Sequence, residues 1–319
     1  MNEFELIQRY FSRQNLARED VVIGIGDDAA VLAVPAGMQL VISTDTFTAG
    51  VHFPTQTDPA SVGHKALAVN LSDLAAMGAT PAWFTLNLSL PAADPDWLAA
   101  FSQGLLALAH NHQVQLIGGD TTRGPLSITI TVLGLVPAGQ ALLRAGAKPG
   151  DQIYVTGHLG AAGMGLLYLQ GKLPLPEEYR AGVLDKLNRP LPRVQEGLLL
   201  RGLASACIDI SDGLLADLGH ILQASRVGAT VMLENLPLAP AYRAGFNELG
   251  WDTALAHGDD YELCFTLPAA NQSALQNSLP AFESFGLIGK IEAQPGLRLR
   301  DSLGALYRSA TRGYDHFAG

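Results

Sequence analysis

The stretch "GIGDDAAV", residues 24 to 31, decides how the first part of the chain folds. It follows Val21, Val22 and Ile23, so a strand runs into a glycine loop. Gly24, Gly26 and Ala29 fit G-x-G-x-x-A, one form of the dinucleotide-binding fingerprint, and Asp45 lies nineteen residues past Gly26, like a ribose-binding acid. Yet the residues that would face a pyrophosphate are Asp27 and Asp28, and two carboxylates repel a phosphate unless a cation lies between them. A dinucleotide loop also opens a helix whose N–H groups and dipole meet the phosphates. Here Pro35 and Gly37 follow within the next turn or two, and Val41-Ile42 begin another strand. The stretch reads as strand, turn, strand, with the carboxylates waiting for a cation.

Working outward, 319 residues exceed what one hydrophobic core usually organises, which predicts two domains. Hydrophobic residues at 48% and charged ones at 16% suit a well-buried α/β enzyme. A net charge of −10 argues against nucleic acid as a partner, because clustered basic residues supply most of that affinity. The two cysteines, Cys207 and Cys264, lie far apart without metal spacing and read as buried and reduced. "MNEFELIQRYF" is too charged for a signal peptide and predicts a short amphipathic helix through Phe4, Ile7, Tyr10 and Phe11. No apolar run reaches the roughly 18 residues a membrane helix needs, so the expectation is a soluble, cytoplasmic protein without a membrane partner.

Strands are predicted at 40–44, 82–90, 126–136 and 151–157, and helices at 60–78, 95–112 and 212–226. The stretch "VPAGQALLRAGAKPGD", 136–151, lacks strong periodicity and marks the boundary between domains taken as 1–140 and 141–319. The second opens on "IYVTGHLGAAGMGLLYLQ", a strand, a glycine loop and a helix that either holds an anion at its N-terminus or is simply a tight turn.

More acids stand at the ends of apolar strands. "VISTDT" places Asp45 beside Ser43 and Thr44; "LIGGDTTRG" places Asp120 behind Gly118 and Gly119; "ACIDISDG" supplies Asp209 and Asp212; "HGDDYELCF" supplies Asp259, Asp260 and Glu262. Asn70 and Asp73 are three apart on the 60–78 helix and share a face. Singly, each acid is more often a turn or cap residue than a ligand. Five segments of hard oxygen donors, without a Cys or His cluster, point instead to Mg²⁺, which works with phosphates. No Walker A, protein-kinase set or G-x-S-x-G elbow accompanies them. His52, close after "STDT", reads equally as a phosphate contact or a loop residue.

"GIGDDAAV", "STDTFTAGVHF", "KALAVNLSDLAAMGA", "LIGGDTTRG", "IDISDGLLADLGHI" and "GDDYELCF" together resemble the thiamine-monophosphate kinase family, within the superfamily of aminoimidazole ribonucleotide synthetase. The resemblance runs from about residue 5 to "GYDHF" at 313–317. It implies an α/β (α+β) protein of two domains, the first lending strands to a β-barrel across a homodimer, the second closing the site. It implies transfer of the γ-phosphoryl of ATP to thiamine monophosphate with several Mg²⁺ ions. Carried over by motif, the metal ligands are Asp28, Ser43, Thr44, Asp45, Asp73, Asp120, Asp209 and Asp212. ATP falls to Gly119, Asp120, Arg144 and Ser211, and the substrate to His52, Asp259 and Tyr314. One departure stands out: the family reads GGEDYEL where this chain has "HGDDYEL", with His257 for Gly and Asp259 for Glu.

The reaction so implied needs no base, because the acceptor oxygen is already ionised. Its difficulty is bringing two anions together, which acids holding Mg²⁺ address by positioning and charge neutralisation. A selenophosphate synthetase would want an early Cys, and this chain has none before Cys207. Aminoimidazole ribonucleotide synthetase is the nearer rival, and an NAD-dependent dehydrogenase is disfavoured by the missing helix after Gly26.

Overall fold

The structure, a computed structural model, describes residues 3–12, 16–278, 285–311 and 313. Chain contacts divide it into one unit of Met1–Leu74 with Ala79–Gly139 and a second of Ala75–Gly78 with Gln140–Gly319.

In the first unit, helix α1 (Glu3–Tyr10) leads to an antiparallel pair, β1 (Val21–Ile23) and β2 (Val31–Leu32), with Ile23 opposite Val31. The opening motif is therefore the turn of a hairpin, and no helix follows Gly26. Asp20 anchors the hairpin's base: it accepts from Arg18 at 2.9 and 2.6 Å and from Trp83 Nε1 at 3.0 Å, and its carbonyl accepts from Ala33 at 2.8 Å. The Arg18 guanidinium holds the Asp20 carboxyl below its usual range. Above this clamp, Val21, Ala30 and Leu32 pack onto buried Trp83, Ile117 and Leu135. The stripe expected on α1 is corrected. Leu6, Tyr10 and Phe11 are buried while Phe4 is 79% exposed, because the Leu6–Tyr10 edge is the one tied down, by the Tyr10 hydroxyl donating to the Pro95 carbonyl at 3.2 Å.

A four-stranded sheet follows, in the order β3 (Met38–Thr48), β6 (Ser127–Pro137), β4 (Thr80–Leu90), β5 (Gln115–Arg123). Only β4 and β5 run parallel, joined through helix α3 (Pro95–Asn111), which Asp94 caps by accepting from Asp96 and Trp97. Helix α2 (Pro59–Ala76) meets α3 at a glycine crossing, where a Cβ on Gly63 would lie 2.1 Å from the Phe101 carbonyl oxygen. One sheet face carries buried Ile128, Ile130 and Val132. On the other, Thr44–Thr131 and Thr46–Thr129 pair by their hydroxyls at 2.9 Å, and Ile42 is 60% exposed. The sheet is open, with β3 and β5 at its edges, so no barrel closes within the described residues.

The second unit is built on a mixed seven-stranded sheet. Its strands in chain order are β7 (Gln152–Thr156), β8 (Ala206–Asp209), β9 (Gly228–Met232), β10 (Leu263–Leu267), β11 (Phe285–Glu292), β12 (Gly296–Arg300) and β13 (Leu306–Tyr307). Across the sheet they run β13-β12-β9-β11-β7-β10-β8, with only β9 and β12 parallel. Helices α4 (Ala161–Leu169), α5 (Glu177–Asn188), α6 (Val194–Leu200) and α7 (Leu214–Ser225) belong to this unit, and Met164, Val183, Leu218, Ile221 and Tyr242 join its core. Cys207 and Cys264 are buried and free, and burial raises both thiols. Among the described residues no helix is long and apolar enough to cross a membrane.

Candidate active site

In the first unit the hairpin turn faces a groove of about 1480 Å³. Asp27 and Asp28 line it together with Gly118, Gly119 and Asp120 from β5 and with Phe4 and Phe11 at the N-terminal helix. Two of the five acid-bearing segments are thus brought to one surface. Gly26 takes φ 123°, which suits glycine, and a Cβ there would meet nothing within 4 Å. Asp28 donates its N–H to the Asp27 carboxylate at 2.8 Å, so the turn is closed by one of its own acids. Gly119 is explained differently. With φ 147°, its missing Cβ would stand 1.8 Å from the Leu86 carbonyl oxygen, so the β4–β5 pairing itself demands glycine there.

A second grouping lies on β3 and α2. Ser43 Oγ donates to Asp73 Oδ2 at 2.5 Å. Strand alternation puts Asp45 on the same face as Ser43, both half-buried. The Thr44 hydroxyl does not join them: it faces the other side and bonds Thr131 and the Ile130 carbonyl. The resemblance groups Thr44 with Ser43 and Asp45, and here its hydroxyl stands on the opposite face of the strand.

His52 sits in the turn after β3. Its Nδ1 accepts the Thr48 N–H at 3.0 Å, its own N–H donates to the Thr48 carbonyl at 3.0 Å, and its ring stacks on Phe47 at 5.2 Å. The acceptor at Nδ1 assigns the neutral ring's proton to Nε2.

In the second unit, Asp209 ends edge strand β8 and pairs in register with Leu263. From there two strips run on side by side. Ile210 donates to the Glu262 carbonyl at 2.8 Å, Tyr261 to the Ile210 carbonyl at 2.9 Å, and Asp259 to the Ser211 carbonyl at 2.9 Å. The strips lie so close that a Cβ on Gly258 would fall 1.9 Å from the Ser211 oxygen. Asp209, Ser211, Asp212 and Asp259 are therefore neighbours. Arg144 is exposed on a loop pinned to the end of α7, where the Ser225 hydroxyl accepts from Gly146 and Ala147 at 3.1 Å. Tyr314 lies outside the described residues.

Of the residues that hold these strips, sequence reading missed Asp217 and named Glu262 only as one of the acids of "HGDDYELCF". Asp217, on the first turn of α7, accepts from the N–H groups of both Ser211 and Asp212 at 3.1 Å. Burial, and then the Asp212 charge, push its carboxyl up to about 7. Its one cue was an acid in the first turn of an otherwise apolar helix. Glu262 accepts from Arg193 at 2.5 and 2.9 Å, from Lys186 at 2.7 Å and from Thr156 at 2.7 Å. Burial works to raise Glu262, but Lys186 and Arg193 outweigh it and hold the carboxyl below its usual range. The glycine loop before α4 is occupied by a carboxyl group of the chain itself: Asp260 accepts the Gly160 N–H at 2.9 Å.

The candidate ligands are all hard oxygen donors, exposed or half-buried except for Asp209, which fits Mg²⁺. Among the described residues no three His, Cys, Asp or Glu side chains stand close enough to hold a metal on their own.

A two-unit α/β chain is the architecture of the AIR synthase related proteins. Their N-terminal domain matches residues 26–136 and their C-terminal domain residues 148–302. Within that class the chain belongs to the thiamine-monophosphate kinase family. It is 51% identical to the thiamine-monophosphate kinase of Salmonella typhimurium over 99% of this chain and 98% of that one. The crystal structure of the kinase from Stenotrophomonas maltophilia superposes with a TM-score of 0.83 at 49% identity, over 88% of this chain and 92% of that one. A second solved relative, AaThiL complexed with AMPPCP and TMP, superposes at 0.79 with 29% identity, over 92% of each chain.

Proposed function

We propose that the chain phosphorylates thiamine monophosphate with ATP, giving thiamine diphosphate and ADP by direct in-line transfer. Full-length kinship to thiamine-monophosphate kinases carries this reading, together with a solved relative that holds an ATP analogue and TMP. The acceptor is a phosphate oxygen, ionised near neutral pH, so the protein's task is to position two anions and offset their repulsion.

Asp28, Ser43, Thr44, Asp45, Asp73, Asp120, Asp209 and Asp212 are the residues that would hold Mg²⁺. Bound there, the ion would neutralise phosphate charge in the transition state. Because Mg²⁺ keeps several waters and takes substrate oxygens as ligands, one or two carboxylates per ion suffice, and a preformed cage of three is not required. The His52 Nε2–H is a fixed donor suited to a phosphate oxygen. The exposed Arg144 and Gly119 serve ATP, with Asp120 and the Ser211 hydroxyl. Asp259, and Tyr314 by its aromatic face, suit the cationic thiazolium ring, cation–π contact being worth about 0.5–2 kcal/mol.

The reading includes a cytoplasmic homodimer, with the domains taken as 1–140 and 141–319. The open sheet face with Ile42 and the threonine pairs supports the dimer, since a second copy would bury it and could complete a barrel across the two chains. Ile42→Asp should give a monomer in sedimentation, and an unchanged dimer would move the interface elsewhere. The deciding assay is ADP release from ATP and Mg²⁺ with thiamine monophosphate against unphosphorylated thiamine. Equal rates with both would refute a phosphate acceptor.

A further inference from the structure

Asp259 and Tyr261 both take left-handed backbone, φ 69° and 47°, although neither is glycine. That region is sterically costly for a residue with a Cβ, and it persists only where the surroundings over-determine it. The side chains between and beyond them supply the constraint. Asp260 is 1% exposed, and its Oδ2 is tethered to the Gly160 N–H at the head of α4, a hundred residues away in sequence. Its other oxygen, Oδ1, is buried without a hydrogen-bond partner among the described residues, and the Gly160 N–H, with the Ala162 backbone close by, holds this side chain. Glu262 is fully buried against Arg193, Lys186 and Thr156. Two inward acids, two residues apart, leave the chain no relaxed path, and the left-handed turns at 259 and 261 result.

We propose that Asp260 is a positioning residue: its bond to Gly160 holds Asp259 in the left-handed conformation that keeps it beside Ser211. Substrate contact by Asp259 then depends on a neighbour that touches no substrate. The inference rests on the reading of Asp259 as a contact of the acceptor. It also bears on the shorter acid in "HGDDYEL". An aspartate reaches less far than a glutamate, so its backbone must be placed more strictly to make the same contact.

The test compares Asp260→Ala, which removes the acceptor, with Asp260→Asn, which keeps an oxygen for Gly160. Asp260→Ala should raise the KM for thiamine monophosphate about tenfold or more and leave the KM for ATP within about twofold, while Asp260→Asn should stay within about threefold on both. Hydrogen exchange at the Asp259 amide, which donates to Ser211, should speed up in the Ala variant and not in the Asn variant. That readout needs no turnover. A wild-type protein that fails to phosphorylate thiamine monophosphate would therefore sink the proposed function and still leave the positioning role to be decided by exchange. Unchanged KM values in the Ala variant, equal rises for both substrates, or an Asn variant as impaired as Ala would overturn the proposal. Should Asp260→Ala not fold, Asp260→Asn decides alone: a KM rise beyond about tenfold, or fast exchange at Asp259, refutes a role based on the hydrogen bond.

Discussion

Arg193→Met tests the network on which the second acidic strip hangs. Arg193 donates to Glu262 through Nε at 2.5 Å and Nη2 at 2.9 Å and reaches Glu196 at 3.3 Å, with side-chain exposures of 10% for Arg193 and 1% for Glu262. Removing one partner of a buried pair costs about 3–5 kcal/mol, because the other charge is stranded. Here Lys186 at 2.7 Å and Thr156 at 2.7 Å remain on the carboxylate, so the low end, about 3 kcal/mol, applies. Met keeps most of the stem's packing, so the loss is electrostatic rather than a cavity. At about 2–4 °C per kcal/mol for a domain of this size, Tm should fall about 6–12 °C. Adding Glu262→Leu removes the stranded carboxylate and should restore part of the loss. The acid limb checks the sign. Glu262 is depressed from its ordinary value of 4.5, so its contribution is present above that pH and disappears as pH falls through the lower folded value. Arg193→Met should therefore narrow its gap to wild type as the pH drops below about 4. Thermal and urea unfolding at pH 7 and at about pH 3 give both numbers, and a Tm within about 2 °C of wild type at pH 7 would refute the reasoning.

Two further outcomes are expected. Asp28→Asn and Asp45→Asn should move stability by no more than about 0.5 kcal/mol while lowering kcat by a hundredfold or so, measured across a Mg²⁺ titration; near wild-type kcat at low Mg²⁺ would make these acids turn residues only. Burial raises Asp260 to about 7 from 3.8, against the pull of Lys186 and the Gly160 N–H, so the folded state holds a proton that the unfolded chain releases. Wild-type stability should thus fall through that window as pH rises, and the stability of Asp260→Asn relative to wild type should improve between pH 5 and pH 8. A pH-independent difference in urea midpoints would count against it.

How much was legible follows from how local each cause is. The hairpin at 24–31 could be read because Pro35 and Gly37 forbid a long helix within a few residues of the motif. The end of α2 was legible in the same way: Gly78 takes φ 63° and closes the helix, with Gly78 donating to the Ala75 carbonyl at 2.9 Å. The face of Thr44 was also within reach, since a period of two separates it from Ser43 and Asp45, but the cluster of hydroxyls in "STDT" invited them to be counted together. The reason for Gly119 was not, because the Leu86 carbonyl that forbids a side chain belongs to another strand. Arg193 and Glu262 are 69 residues apart and Gly160 and Asp260 are 100 apart, so no spacing rule links either pair. Their partnership exists only once β7, β10 and α4 have assembled.

The tether at the head of α4 also bears on where an anion can sit. A glycine loop opening a helix is the usual berth for a phosphate, and a cell is full of phosphates. In this chain the berth is filled from within: Asp260 arrives with the fold, and it adds its own repulsion to any anion whenever it is ionised. The Gly160 N–H that an anion at this helix start would need is thus already taken. An enzyme whose reactants are themselves phosphates gains by closing that false address.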